Sequence, residues 1–194
     1  MYSQKDEERF ILAACPGTSG RFLDIGSWNA IEMSNTRALF LLGWGGVMVE
    51  PSPVPFAGLK AEYGSVERVA LINAAVVLDA GLTEIAMHVS DDAISTTEEA
   101  NFQKWKKAAR FDGKIMVPAI TLERIYEEHG DFDFVSIDTE GTSVDLLHRL
   151  FAMEKRPKCI AVEHDERTTE VLAVATGLGY SCTYANGENL VLVR

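Results

Sequence analysis

Basic residues are scarce in this chain of 194 residues: 18 Lys and Arg face 29 Asp and Glu, and the net charge is -11. That balance repels phosphate backbones and anionic bilayers, which argues against nucleic acid or a membrane as the principal partner. The basic stretch of Lys104, Lys106, Lys107, Arg110 and Lys114 reads either as a solvated helix face or as a local contact for an anionic group. Cysteine is scarcer still. Cys15, Cys159 and Cys182 are odd in number and far apart, a pattern that suits neither a disulfide framework nor a Cys/His zinc site. No run approaches the ~18 apolar residues of a membrane span, and the opening MYSQKDEERF is charged where a secretion signal is apolar. A cytoplasmic location is the expectation. What the chain does hold, 47% hydrophobic and 24% charged residues, is the balance of a folded protein, and its length suits one domain over 1–194.

Apolar runs bounded by Gly and Pro alternate with helical patterns from Arg21 onward. A short helix over 6–14 and the turn-rich Cys15–Gly20 precede them. Strands are expected at Phe22–Ile25, Gly46–Glu50, Val69–Asn73, Phe132–Ile137 and Cys159–Glu163, with helices at Ser34–Leu42, Pro53–Tyr63, Thr121–His129, Ser143–Met153 and Thr168–Leu178. This order predicts an α/β fold with a single doubly wound, mostly parallel sheet. Ala75–Leu78 and Thr83–Val89 around Asp79-Ala80-Gly81 read as a hairpin inserted after the third strand. Tyr180–Ala185 and Asn189–Val193 around Asn186-Gly187 read as a C-terminal antiparallel hairpin. Between them Ser90–Thr97 is a polar loop, Glu98–Arg110 a helix and Ile115–Val117 a short strand, so that 90–117 is a candidate lid.

In a doubly wound sheet, ligands bind beyond the carboxyl ends of the strands. Here those ends are acidic. The first strand runs into Asp24-Ile25-Gly26-Ser27-Trp28-Asn29, the second into Glu50-Pro51-Ser52-Pro53, the fourth into Asp138-Thr139-Glu140-Gly141 and the fifth into Glu163-His164-Asp165. Gly26 permits a sharp turn and close approach of backbone to ligand, and a carboxylate at Glu50 can accept both hydroxyls of a ribose. The phosphate-cradling G-x-G-x-x-G is missing, since Asn29 and Ala30 follow Gly26. A dinucleotide-dependent oxidoreductase is therefore disfavoured. Asp24 repels phosphate and attracts an ammonium or sulfonium, so the pocket suits a cationic nucleoside; alternatively Asp24 bonds turn amides. Asn73 either hydrogen-bonds an adenine or caps its own strand end. Asp92, Ser95 and Thr96 lie in a loop that either closes over the ligand or stays solvated.

The stretches FLDIGSWNAIEMSNT, GWGGVMVEPSP, LINAAV, ISTT, TLERI, DFVSIDTEG and KCIAVEH, in that order and spacing, resemble the FkbM family of class I S-adenosylmethionine-dependent methyltransferases from about Phe22 to about His164. The resemblance implies a Rossmann-like methyltransferase fold. It also implies that Asp24, Gly26 and Ser27 line the methionine part of S-adenosylmethionine, that Glu50 binds its ribose, that Pro51 and Ser52 shape the wall, and that Asp138 faces the reaction centre. The family's first motif carries a second glycine where this chain has Trp28, Asn29 and Ala30. O-methylation of a small-molecule or sugar hydroxyl is the activity it favours.

Asp138, Glu140, Glu163 and His164 gather at one edge if the fourth and fifth strands are neighbours. Such a set either holds Mg²⁺ or Mn²⁺, lowering the acceptor hydroxyl's pKa, or works without metal, with Asp138, Glu163 or His164 taking the proton. The bland alternative makes Glu163 and His164 structural. His88, His129 and His148 read as surface or helix-end residues. A non-catalytic nucleoside-binding or interaction protein on the same fold stands as the other class.

Overall fold

The structure, a computed structural model, describes residues 1–90 and 93–194; Asp92, expected at the ligand, lies outside them. The elements run α1 (Glu7–Ala14), β1 (Arg21–Ile25), α2 (Arg37–Leu41), β2 (Gly45–Val49), α3 (Pro53–Tyr63), β3 (Val69–Ile72), β4 (Ala75–Val77) and β5 (Glu84–Ser90). They continue through α4 (Glu99–Trp105), β6 (Phe111–Thr121), α5 (Leu122–His129), β7 (Phe134–Ile137), α6 (Ser143–Ala152), β8 (Cys159–Glu163), α7 (Thr168–Gly177), β9 (Ser181–Ala185) and β10 (Asn189–Val193).

Seven strands form the main sheet in the order β3-β2-β1-β7-β8-β10-β9. The first five are parallel, and β10 is antiparallel to both β8 and β9. The strands are short apolar runs because side chains on both faces are covered. Leu23, Ile25, Val135, Ile137 and Ile160 pack with Leu122, Ile125, Leu147, Leu150 and Val171 from α5, α6 and α7. Their sequence neighbours Phe22, Phe134 and Ala161, with Met48 of β2, point to the other face, against Ile11, Leu39, Leu59 and Tyr63 from α1, α2 and α3. Burying one such large side chain contributes roughly 1.5–3 kcal/mol. Winding runs outward from β1 in both directions, so the chain reverses between β1 and β7, and a crevice opens above their carboxyl ends.

The insertion after β3 is present, but its pairing differs from a hairpin. The strands form a three-stranded sheet in the order β4-β6-β5, with β6 parallel to β4 and antiparallel to β5. The strand expected at Ile115–Val117 extends to eleven residues and takes the central place. The reason is packing: Ile115, Val117 and Ala119 alternate along β6 and fill the small core of Ala75, Val77, Ile85, Met87 and Val89. The Asp79 carboxylate accepts the Gly81 N–H at 2.8 Å, which turns the chain without pairing its arms. The C-terminal hairpin around Asn186-Gly187 forms as expected.

Helix α2 begins at Arg37, three residues later than expected. Ser34 Oγ accepts the Arg37 N–H at 3.1 Å, while Asn35 and Thr36 send their side chains to Ser136 and Asp24. Polar groups that a regular helix would leave in water are thus spent under the crevice.

Candidate active site

The crevice above β1 and β2 is built by backbone first. The Gly26 and Ser27 N–H groups donate to the Val49 carbonyl at 2.9 and 3.2 Å, closing the turn after β1 onto β2. Gly26 has φ +81°, and a Cβ there would run into the Asp138 carbonyl. Glycine is therefore required on two counts. Glu50 Oε2 accepts the Trp28 N–H at 2.9 Å and Oε1 the Ser52 N–H at 2.7 Å. Trp28 holds φ +39°, a strained conformation for a tryptophan. Burial raises the Glu50 pKa, and the two backbone donors offset part of that rise. Each carboxylate oxygen has a second lone pair to offer, so the pinned Glu50 still accepts from a diol.

Two residues expected to line the pocket do not reach it. Asp24 lies beneath the crevice floor, where its Oδ2 accepts the Thr36 hydroxyl at 2.5 Å and it is 4% exposed. Burial pushes its pKa up to about 6, against the pull of hydrogen bonds from Thr36 and Ser136. Asn73 donates its amide to the Glu50 and Pro51 carbonyls at 2.7 and 3.1 Å, and so pins the turn behind Glu50. Gly26, Ser27, Glu50, Pro51 and Ser52 do line the crevice.

At the ends of β7 and β8, carboxylate oxygens of Asp138, Glu140 and Glu163 lie within 4.8 Å of one another. Glu163 Oε2 accepts the Glu140 N–H and the Ser143 hydroxyl, each at 3.2 Å, and shares a hydrogen bond with Asp138. Burial, then the charge of Glu140, raises Asp138 to about 7. Glu140 rises to about 8 through burial and the Glu163 charge, and Glu163 to about 9 through burial and the Asp138 and Asp165 charges. His164 is buried, and its Nδ1 accepts the Glu166 N–H at 3.2 Å. That bond assigns the neutral ring's proton to Nε2. Among the described residues, the clustered donors available here to a divalent cation are the carboxylates of Asp138, Glu140 and Glu163.

The insertion covers the crevice. Thr96 Oγ1 and Asn101 Nδ2 both donate to the Glu140 carbonyl, at 2.7 and 2.6 Å, and Lys104 pairs with Glu166 at 2.7 Å. His88, read as a surface or helix-end residue, is buried instead, stacked on Phe102 with ring centroids 3.9 Å apart and bonded to Glu99 at 3.1 Å. The stack explains its place: an aromatic face on β5 anchors α4. His148 is a helix-face residue paired with Glu170, and His129 ends α5.

Together these residues enclose about 810 Å³, inside the span of small-molecule sites. Trp28, Asn35, Asn101, Lys104 and Trp105 also line it, as do Gln4, Glu188 and Asn189 from the two ends of the chain. Of these eight only Lys104 stood out in the sequence, within its basic stretch. For Asn35 the signal was the Ser-Asn-Thr run, which favours a cap over a helix interior.

A doubly wound sheet carrying a glycine turn after its first strand and a carboxylate at the end of its second makes a nucleoside-binding crevice. The solved structures agree on that fold. The chain is similar to the precorrin-6y C5,15-methyltransferase from Geobacter metallireducens, with TM-score 0.53, 10% identity, and coverage of 100% of this chain and 93% of that one. It is equally similar to the O-methyltransferase from Bacillus cereus in complex with SAH, with TM-score 0.53, 12% identity, and 100% and 83% coverage. No curated protein matches the sequence. The methyltransferase FkbM domain matches residues 22–182, and the chain belongs to that family of S-adenosylmethionine-dependent methyltransferases.

Proposed function

We propose that the protein transfers a methyl group from S-adenosylmethionine to a hydroxyl of a small acceptor, such as a sugar. The observation that carries this reading is the crevice joining the Glu50 ridge to the half-buried carboxylates Asp138 and Glu163. S-adenosylmethionine, when bound, supplies a methyl already activated on a sulfonium. The chain's part is to bind, align and take away a proton.

Glu50 accepts the ribose hydroxyls. The turn at Gly26 and Ser27 takes the methionine end, while Pro51 and Ser52 wall the nucleoside. The segment 93–105, bonded to the Glu140 carbonyl, is a lid that excludes water. At the other end Asp138 would take the acceptor's hydroxyl proton, and the acceptor oxygen would receive the methyl as the methyl's bond to sulfur breaks. The Asp138 pKa, raised to about 7, suits a base that must take up and release a proton near neutral pH. Glu163, whose pKa burial and the Asp138 charge raise, shares a hydrogen bond with Asp138. His164, with Nδ1 already accepting, donates from Nε2 and so orients the acceptor. This reading assigns the proton transfer to these side chains and routes no step through a metal.

Titration calorimetry with S-adenosylhomocysteine and NAD tests the cofactor assignment; tighter binding of NAD would sink it. Turnover over a panel of hydroxyl acceptors tests the chemistry. Activity should survive a chelator, and recovery that requires Mg²⁺ or Mn²⁺ would refute the metal-free assignment. Asp138→Asn should cut turnover ~10²–10⁴-fold, the usual share of general base catalysis, while S-adenosylhomocysteine affinity stays close to the parent's.

A further inference from the structure

The wall of the crevice farthest from Glu50 comes from both ends of the chain. Tyr2 donates its N–H to Glu8 at 2.6 Å, and its carbonyl accepts the Ser34 N–H at 3.0 Å, which ties the first residues to the loop before α2. Glu7, fully buried, accepts the Lys5 N–H at 2.8 Å and the Asn186 amide at 2.6 Å. Gln4 Oε1 accepts the Asn189 amide at 3.1 Å. The N-terminal segment is thus clamped onto the β9–β10 turn, and Gln4, Glu188 and Asn189 line the cavity. The stretch shared with the FkbM family, 22–182, contains none of these three. They also sit away from the nucleoside end, because four strand spacings separate β2 from β10 in the sheet, roughly 19 Å at the usual interval.

The chemistry of this wall is polar and acidic. Amides at 4 and 189 offer donors and acceptors to hydroxyl groups. Glu188 adds a carboxylate to a lining that already holds Asp138, Glu140 and Glu163. The two cations of this end, Lys104 and Arg167, are engaged with Glu166 at 2.7 Å and with Asp145 and Glu170 at 2.7 Å. An anionic acceptor would meet the Glu188 carboxylate with no free cation among the described residues lining this end, whereas a cationic group would find in Glu188 a carboxylate that pairs with no Lys or Arg.

We propose that Gln4 and Glu188, steadied by Asn189, are the acceptor-reading residues, and that they select a small hydroxylated acceptor carrying an amine. This rests on the methyltransferase reading and adds the acceptor class to it. The amine seats at Glu188, and the hydroxyls bond to the Gln4 amide.

The test uses protein loaded with S-adenosylhomocysteine and three probes that share one ring: glucosamine, glucose and glucose 6-phosphate. Saturation-transfer NMR and calorimetry read their binding. Glucosamine should bind about tenfold more tightly than glucose, as expected for a charge-assisted bond, and glucose 6-phosphate most weakly. Glu188→Gln should abolish the gap between glucosamine and glucose, and Gln4→Ala should weaken both about fivefold. Both substitutions should leave S-adenosylhomocysteine affinity unchanged, which also reports on folding. Equal binding of the three sugars, binding of none, preference for the phosphate, or variants indistinguishable from the parent would each overturn the proposal while leaving the methyltransferase reading intact. Failure of the parent to bind S-adenosylhomocysteine would overturn that reading, and this one with it.

Discussion

Gly26 and Asp138 approach so closely that no side chain fits between them: a Cβ on Gly26 would occupy the space of the Asp138 carbonyl. The contact joins the turn after β1 to the end of β7 across the point where the sheet reverses. Gly26→Ala must push two backbones apart and also hold alanine at φ +81°. The strain alone costs of order 1–3 kcal/mol. We expect a lower thermal midpoint and a loss of S-adenosylhomocysteine binding larger than the stability change explains. A variant with unchanged affinity by calorimetry would refute the close approach.

Glu50 serves two masters, since its oxygens accept the Trp28 and Ser52 N–H groups and face the crevice. Glu50→Ala should weaken S-adenosylhomocysteine by about 1.5–3 kcal/mol, the range for bonds to a charged group, and lower the melting temperature by orphaning two donors. Glu50→Gln keeps one acceptor, so its affinity should fall between parent and alanine. Equal affinity of all three would remove the residue from the site.

The carboxylates at the ends of β7 and β8 make stability depend on pH. Glu163 moves from 4.5 to about 9 on folding and Asp138 from 3.8 to about 7, in both cases chiefly through burial. Between those limits the native state holds more protons than the unfolded chain. The contribution is therefore complete below about pH 4 and is lost as pH rises through 7 toward 9. The ligand-free protein should melt at lower temperature at pH 9 than at pH 6. Glu163→Gln, which cannot ionise, should flatten that decline and melt above the parent at pH 9. A parent melting point that rises over this interval would contradict the burial of these groups.

Much of the main sheet was legible because its strands are apolar runs closed by Gly, Pro or acid, and those acids mark the crevice rim. The insertion was misread at β6. Its apolar residues alternate only over Ile115, Val117 and Ala119, and the rest of its eleven residues gain their strand conformation from flanking β4 and β5. Asp24 and Asn73 sit at rim positions in sequence, yet Thr36 and the Glu50 and Pro51 carbonyls claim their side chains. Periodicity gives a residue's position along a strand but not the partner its side chain meets. Gln4 and Glu188 were illegible for the same reason, since their place in the wall depends on a clamp between chain ends 182 residues apart at Glu7 and Asn189.

The lid makes the last prediction. Asn101 donates to the Glu140 carbonyl at 2.6 Å and to its carboxylate at 3.3 Å, while Thr96 donates to the same carbonyl. Glu140 itself sits at φ +55°, so the loop after β7 holds a strained conformation that these two donors brace. Helix α4 buries none of its own residues, and its seven residues are too few for stability in isolation. Its order depends on these bonds and on the Phe102 stack with His88. Asn101→Ala should therefore speed amide exchange through Glu99–Trp105 about fivefold or more, as the loss of about 1 kcal/mol of local bonding requires. Exchange in β1 and β7 should stay at the parent's rate. Saturating S-adenosylhomocysteine should slow α4 exchange in the parent, because a ligand beneath the lid favours its closed state. Equal exchange in parent and variant, with no slowing by ligand, would mean that α4 is a fixed wall rather than a lid.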